Sequence, residues 1–312
     1  MRRLIRFVAL ACAGLVFAAA HLRAEERLNV VASFTILADM TRQVGGEHVT
    51  VTALVGPNGD AHSFNPNPSD AKTVAQAKLV IANGLGFDNW INRLTKSVGY
   101  KGPMLLASKG VKTRKAEQAD ERASDHKEGG HDHDATDPHA WQDLANGRRY
   151  VANIADALAK ADPAHAADYK ARADAYDREL AALDADIRSQ LSAIPRDKRK
   201  IITSHDAFGY FGRAYGIDFL SPVGLSTESE PSAKDLAALV RQMKRQNVRV
   251  LFIETMSDPR LVQQLAREGG GIVGGQVYSD SLSDRDGPAP TYTEMFRHNV
   301  KEFVSALKQA SS

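Results

Sequence analysis

The chain has 312 residues, 43% hydrophobic and 25% charged, with a net charge of +2; these values describe an ordinary globular protein long enough for two lobes with cores of their own. The four arginines before residue 25 more than account for the positive surplus, and without them the charge is −2, which excludes a broad basic surface for nucleic acid. No segment beyond them is long and apolar enough to span a bilayer.

Residues 1–24 read as a secretory signal. Arg2, Arg3 and Arg6 precede an apolar run over 7–20, and Ala18-Ala19-Ala20 or Ala24 offers a cleavage site. The run is shorter than the roughly 20 residues a membrane helix needs. Cys12, the sole cysteine, lies inside this segment; Ala9 stands three residues before it, where a lipid-anchor motif would place Leu. The mature chain is therefore expected to lack a lipid anchor, disulfides and thiolate ligands, so any transition-metal site must use His, Asp or Glu.

Residues 29–34 form a β-prone run, and 35–44 place Ile36, Leu37, Met40 and Val44 at helical spacing. Residues 49–55 alternate as a strand and end in the turn-rich Gly56-Pro57-Asn58-Gly59-Asp60. A helix over 69–77, capped near Ser69 or Asp70, and a buried strand over 79–82 follow. This alternation predicts an α/β lobe. Residues 112–137 interrupt it with charge, His and Gly and almost no large apolar side chain, the composition of a mobile loop.

Residues 140–160 read as a helix, and Pro163 interrupts. A longer helix over 164–194 places Tyr169, Ala173, Tyr176, Leu180, Leu183 and Ile187 at three- and four-residue spacings, up to Pro195. At ~1.5 Å per residue it spans roughly 45 Å, long enough to run along two lobes. Strands over 200–203, 218–220, 248–253 and 271–277 then alternate with helices over 207–215, 232–246, 259–268 and 292–307, with Ser232 as an N-cap. The expected division is an N-terminal lobe over 25–163, a linking helix over 164–194 and a C-terminal lobe over 195–312. No internal sequence repeat is evident.

Four residues share a context. His62, His205 and Asp280 each follow a predicted strand, and His139 stands where the long loop returns to a helix. Ligand sites in open α/β sheets form beyond the carboxyl ends of strands. Two of the four come from each lobe, so one interlobe cleft can gather them. Three imidazoles and a carboxylate suit zinc; nitrogen ligands also suit copper and nickel, whereas manganese prefers more oxygen. Asp206 or Glu254 can orient a ring from behind. His126, His131 and His133, set among Asp125, Asp132 and Asp134, form a separate tract able to hold zinc weakly. His21 lies in or beside the signal, and His48, His165 and His298 read as structural or surface residues. Trp90 and Trp141 read as packing groups, the latter beside His139. A metallohydrolase finds little support: Ala135 stands where an H-x-H-x-D-H motif needs Asp, and H-E-x-x-H is absent.

Longer motifs surround the four. They are Gly59-Asp60-Ala61-His62-Ser63-Phe64 with Pro68-Ser69-Asp70, Asp137-Pro138-His139-Ala140-Trp141, Thr203-Ser204-His205-Asp206-Ala207-Phe208, and Tyr278-Ser279-Asp280-Ser281-Leu282-Ser283. The last continues into Asp286-Gly287-Pro288-Ala289-Pro290-Thr291-Tyr292. In these motifs, and over essentially the whole mature length, the chain resembles the solute-binding proteins of zinc/manganese ABC importers, the cluster A-I or family 9 group. The resemblance implies two α/β lobes with parallel-rich sheets joined by one rigid helix, and a metal site in the cleft between them. It places the family's four ligands on His62, His139, His205 and Asp280.

Members with His in the third position tend to take zinc and those with Glu manganese, so the resemblance implies Zn2+ here. It further implies a monomeric, non-enzymatic periplasmic carrier that delivers to a membrane permease. His126, His131 and His133 then become an auxiliary capture tract that accepts zinc from a periplasmic metallochaperone. The alternatives are a manganese or iron carrier, a secreted metallohydrolase and an adhesin. Two departures stand out: Ala61 replaces a frequent Pro before the first ligand, and the disulfide that some zinc members carry in the second lobe cannot form.

Overall fold

The structure is a computed structural model, and it describes residues 26–115, 136–228 and 231–311. The expected signal segment with Cys12, and His126, His131 and His133, lie outside the described residues.

The first lobe is built on β1 (Leu28–Phe34), β2 (Val49–Val55), β3 (Leu79–Ala82) and β4 (Met104–Leu106), in the order β2-β1-β3-β4 with every pair parallel. Parallel neighbours require crossovers; α1 (Thr35–Gly45), α2 (Pro68–Ala75) and α3 (Trp90–Ser97) lie in these connections. From Val30 to Phe34 every β1 residue is buried, as expected for a strand covered on both faces. Helix α2 starts earlier than its sequence suggests. Asn67 is the cap, accepting from the backbone N–H groups of Ser69 and Asp70, while the Asp70 carboxylate accepts from that of Asn67 and Pro68 fills the first turn.

The second lobe repeats the plan with β5 (Lys200–Ile202), β6 (Asp218–Leu220), β7 (Val250–Glu254) and β8 (Ile272–Val277), ordered β6-β5-β7-β8 and all parallel. Both sheets run second-first-third-fourth, a structural repeat that the sequence does not display. Between the lobes lie α4 (Leu144–Ala161) and α5 (Ala166–Ser192). Helix α5 buries Tyr169, Ala173, Tyr176, Leu180, Leu183, Ile187 and Leu191 on one face. Pro163 opens a separate 3-10 turn (Pro163–His165), so the long helix is shorter than its periodicity suggests. Helices α6 (Gly209–Tyr215), α7 (Ala233–Gln246), α8 (Pro259–Gly269) and α9 (Tyr292–Ser311) complete the fold.

The cores are not divided as two independent lobes would require. One apolar cluster runs from β1 and α1 through Tyr150 and Ile154 of α4 and Leu180 and Ile187 of α5, to Phe211 of α6, Phe252 of β7 and Phe303 of α9. A smaller cluster lies around Ile202, Leu251, Met243 and Leu265. Opening the lobes widely would expose the shared cluster to water, so the fold resists a broad hinge. Polar ties cross the same seam: Tyr292 donates its backbone N–H to Asp39 Oδ2 at 2.8 Å, and Leu282 donates to Thr35 Oγ1 at 2.8 Å. Among the described residues no helix is long and apolar enough to cross a membrane.

Candidate metal centre

His62 lies in the loop after β2, His205 three residues past β5, and Asp280 three residues past β8; His139 precedes a 3-10 turn (Ala140–Gln142) that leads into α4. The structure brings all four together, with one ligand atom from each within 4.8 Å of the others. His62 Nε2 is 3.3 Å from His139 Nε2 and 3.3 Å from Asp280 Oδ2. His205 Nε2 is 3.1 Å from Asp280 Oδ2, and His139 Nε2 is 3.7 Å from Oδ1. A tetrahedron with bonds of ~2.0–2.1 Å has edges of about 3.3 Å; the separations of 3.1–3.7 Å match one four-coordinate first-row cation, and the widest, up to 4.8 Å, has to close on binding. The His62 side chain is 5% exposed and the other three no more than 1%. Both Asp280 oxygens and His205 Nε2 are buried with no hydrogen-bond partner outside the cluster itself, a costly arrangement that a cation at their centre would relieve.

All three histidines are positioned by a carboxylate, His139 and His205 through the ring as well as the backbone. In Asp60-Ala61-His62 and again in Asp137-Pro138-His139, the Asp carboxylate accepts the backbone N–H of the histidine two residues on, at 2.8 and 2.9 Å. This is the Asx-type local bond that Asp favours in turns. Asp137 Oδ1 also lies 2.8 Å from His139 Nδ1, which directs Nε2 toward the cleft. The other Asp137 oxygen accepts from Arg114 Nη1 at 2.7 Å, and Tyr210 donates its hydroxyl to the Asp137 carbonyl at 3.0 Å. A Cβ on Gly209 would overlap the Arg114 guanidinium, so glycine is what lets Arg114 reach Asp137. From the first lobe, Asn83 donates to the carbonyl of Pro138 at 3.0 Å and accepts from the Tyr150 hydroxyl at 2.7 Å.

His205 is backed by Glu254. One Glu254 oxygen accepts its backbone N–H at 2.9 Å and the other lies 2.8 Å from its Nδ1. Of the two candidates for this role, Glu254 fills it; Asp206 makes no hydrogen bond to any of the three rings among the described residues. Burial opposes charge on His205, but the carboxylates of Glu254 and Asp280 outweigh it and raise the ring well above the usual imidazole range. Burial likewise opposes charge on Asp280, yet the His205 and His139 imidazoles hold its carboxyl well below the usual range. Phe87 walls the site, 4.7 Å centroid to centroid from His62 and 4.8 Å from Trp141. Trp141 is fully buried, as a packing group, 5.3 Å from the His139 ring.

The four residues expected from the sequence converge in the structure, whereas Asp137, Arg114, Asn83 and Tyr210, which support them, were not expected. The Asp-x-His spacing, present at both 60–62 and 137–139, was the available signal for Asp137. Arg114 and Asn83 act across the fold and leave no local mark.

Comparison with known proteins gives a consistent picture. The family described as zinc-uptake complex component A, periplasmic, matches residues 30–306. The manganese-binding lipoprotein MntA of Halalkalibacterium halodurans is 32% identical over 284 residues, covering 91% of this chain and 90% of that protein. The metal ABC transporter substrate-binding lipoprotein SloC of Streptococcus mutans is 30% identical over 312 residues, covering 98% of each. Among solved structures, the periplasmic zinc-binding protein TroA from Treponema pallidum superposes with a TM-score of 0.81 at 27% identity, covering 90% of this chain and 99% of that one.

Proposed function

This chain belongs to the zinc-uptake complex component A family, whose members are solute-binding proteins of metal ABC transporters and not enzymes, and on that premise we propose that it captures Zn2+ in the periplasm and delivers it to an importer permease. The observation that carries the zinc reading is the donor set. Three imidazole nitrogens and a single carboxylate converge on one point, with the nearest ligand atoms at tetrahedral separations of 3.1–3.7 Å. Zinc favours four nitrogen and oxygen donors in that geometry, whereas manganese favours six, mostly oxygen. His62, His139, His205 and Asp280 are the proposed ligands. Capture replaces the waters of the ion by these four side chains, with no open position for a reacting water, unlike a hydrolytic zinc site.

A second reading is manganese capture. MntA is named for manganese, and Asp280 has two unpartnered oxygens that can both bind the ion. Elemental analysis of protein isolated from its native compartment decides between them: one zinc per chain supports the proposal, and manganese in its place overturns it. The same preparation tests the leader. An N-terminus at residue 21 or 25 supports release into the periplasm, whereas a lipid-modified Cys12 would make the protein membrane-anchored, as the names of MntA and SloC describe those relatives.

A further inference from the structure

The four candidate ligands form two cross-lobe pairs that are tied in different ways. His139 and Asp280 are joined by buried bonds: Trp141 Nε1 and Gln142 Nε2 both donate to the carbonyl of Ser279, at 2.9 and 2.7 Å. His62 and His205 form the other pair, with ring centroids 5.7 Å apart. His205 is continuous with a second-lobe loop over 221–228, because the backbone N–H of Asp206 donates to the carbonyls of Val223 and Gly224 at 3.2 and 3.1 Å. His62 belongs to the first-lobe loop over 56–67.

Among the described residues, the hydrogen bond that joins these two loops runs from Thr227 Oγ1 to Asp60 Oδ2, at 2.6 Å. Asp60 Oδ1 accepts the backbone N–H of His62 at 2.8 Å, and Oδ2 also accepts the Ser63 hydroxyl at 2.9 Å. One carboxylate therefore holds both the backbone of a candidate ligand and the loop of the opposite lobe. Asp60 and Thr227 are half-buried, so water can compete for this bond as it cannot for the buried pair at Ser279. The backbone leading to His62 has anchors of its own: Asn58 donates its N–H to the Leu282 carbonyl at 3.1 Å, and Trp90 Nε1 donates to the Ala61 carbonyl at 2.9 Å. Loss of the Thr227 bond thus loosens the Asp60 carboxylate and the His62 it positions, while the backbone through Ala61 and the lobes stay in place.

We propose that the Thr227–Asp60 hydrogen bond is the latch that sets the rate of metal release. While it is made, His62 is held over the site against the second lobe. When it breaks, His62 withdraws first and the ion is left on three ligands facing solvent on that side. Both latch residues are positioning residues that act through His62. The proposal rests on the metal-capture reading above, and it supplies the local motion that the shared core demands in place of a hinge.

The test is stopped-flow transfer of zinc from the loaded protein to excess chelator, comparing wild type with Thr227→Val and Thr227→Ser. Valine keeps the shape and removes the donor; serine keeps the donor. The expected result is release roughly tenfold faster from Thr227→Val, the scale of one hydrogen bond to a charged group, with near-wild-type release from Thr227→Ser. The thermal midpoint of the metal-free protein should fall by no more than about 2–4 °C in Thr227→Val, the shift expected from one such bond, and stay at the wild-type value in Thr227→Ser. Wild-type release from Thr227→Val, or equal acceleration in both variants, overturns the latch. A wild-type protein that takes up neither zinc nor manganese overturns the capture reading instead.

Discussion

Trp141 donates its indole N–H to the carbonyl of Ser279 at 2.9 Å, so the residue two places after His139 is bonded to the residue just before Asp280. Two candidate ligands from opposite lobes are thereby set at a fixed separation by a bond that does not involve the ion. Replacing Trp141 by Phe retains a ring against Phe34 and Phe87, at 5.1 and 4.8 Å, and removes the donor. The expected cost is about 1–2 kcal/mol in unfolding free energy of the metal-free protein, the range for a buried hydrogen bond. Denaturant titration checks it; an unchanged midpoint would show that Gln142 alone suffices.

Asp137 is expected to act on metal affinity through His139. Asp137→Asn replaces the acceptor that faces His139 Nδ1 and discharges the partner of Arg114. Losses of this kind behind a metal-bound histidine are typically 10- to 100-fold in affinity. Arg114→Ala should weaken binding in the same direction, and by less, because Asp137 keeps its bonds to the histidine. Chelator competition measures both, and wild-type affinity in Asp137→Asn would remove the relay from the account.

The raised His205 value fixes the sign of a pH dependence. In the metal-free protein the ring favours its proton, held by Glu254 and Asp280. That contribution to stability is present below the ordinary imidazole range and is lost as pH rises through the raised folded value. A metal ligand must be neutral, so binding near pH 7 should expel about one proton from this ring, and affinity should fall as pH is lowered. Asp280, held well below its usual range, stays ionised throughout and contributes no proton. Calorimetry in buffers of different ionisation enthalpy reads the proton count; uptake of protons, or no release, would contradict the sign.

Asp39 gives a second, independent pH effect, on stability. Burial raises its carboxyl to about 6, against the bonds from Tyr292 and Gln43 that favour the charge. A raised carboxyl means that the fold favours the protonated form. Stability from this group should therefore rise as pH falls from about 6 toward 4, opposite to the usual behaviour of a paired carboxylate. Asp39→Asn should remove that segment of the pH profile and raise stability at pH 7 by at most about 2–3 kcal/mol. A lower midpoint at pH 7 would mean that the Tyr292 bond needs the charge.

Much of this fold is legible in the sequence because its elements are strongly patterned. The buried run from Val30 to Phe34, the α5 stripe from Tyr169 to Ile187 and the turn-rich stretch after Val55 all settle as their residues suggest. What escapes is short or non-local. Helix α3 buries only Trp90, Ile91 and Leu94, and β4 is three residues long at a sheet edge with Met104 and Leu106 exposed. Neither is long enough to show a period. The common strand order of the lobes is set by crossovers and packing, which different side chains satisfy equally well. At the site, the four candidate ligands are readable because each lies in a distinctive motif. Arg114 and Asn83 are not, because their partners are 23 and 55 residues away and meet them only in the folded chain. The joined core around Leu180 and Phe303 is likewise a property of packing between distant elements, and it replaces the expectation of a separate core in each lobe.

The central claim is that His62, His139, His205 and Asp280 hold one zinc ion and prefer it to manganese. The most direct measurement is a competitive titration of the metal-free mature protein with zinc and manganese, beside His205→Ala and Asp280→Ala. The account predicts one tight zinc per chain, manganese displaced by zinc, and loss of tight binding in both variants. Equal preference for manganese would assign the site to the other metal, and near-wild-type zinc affinity in both variants would contradict the site itself.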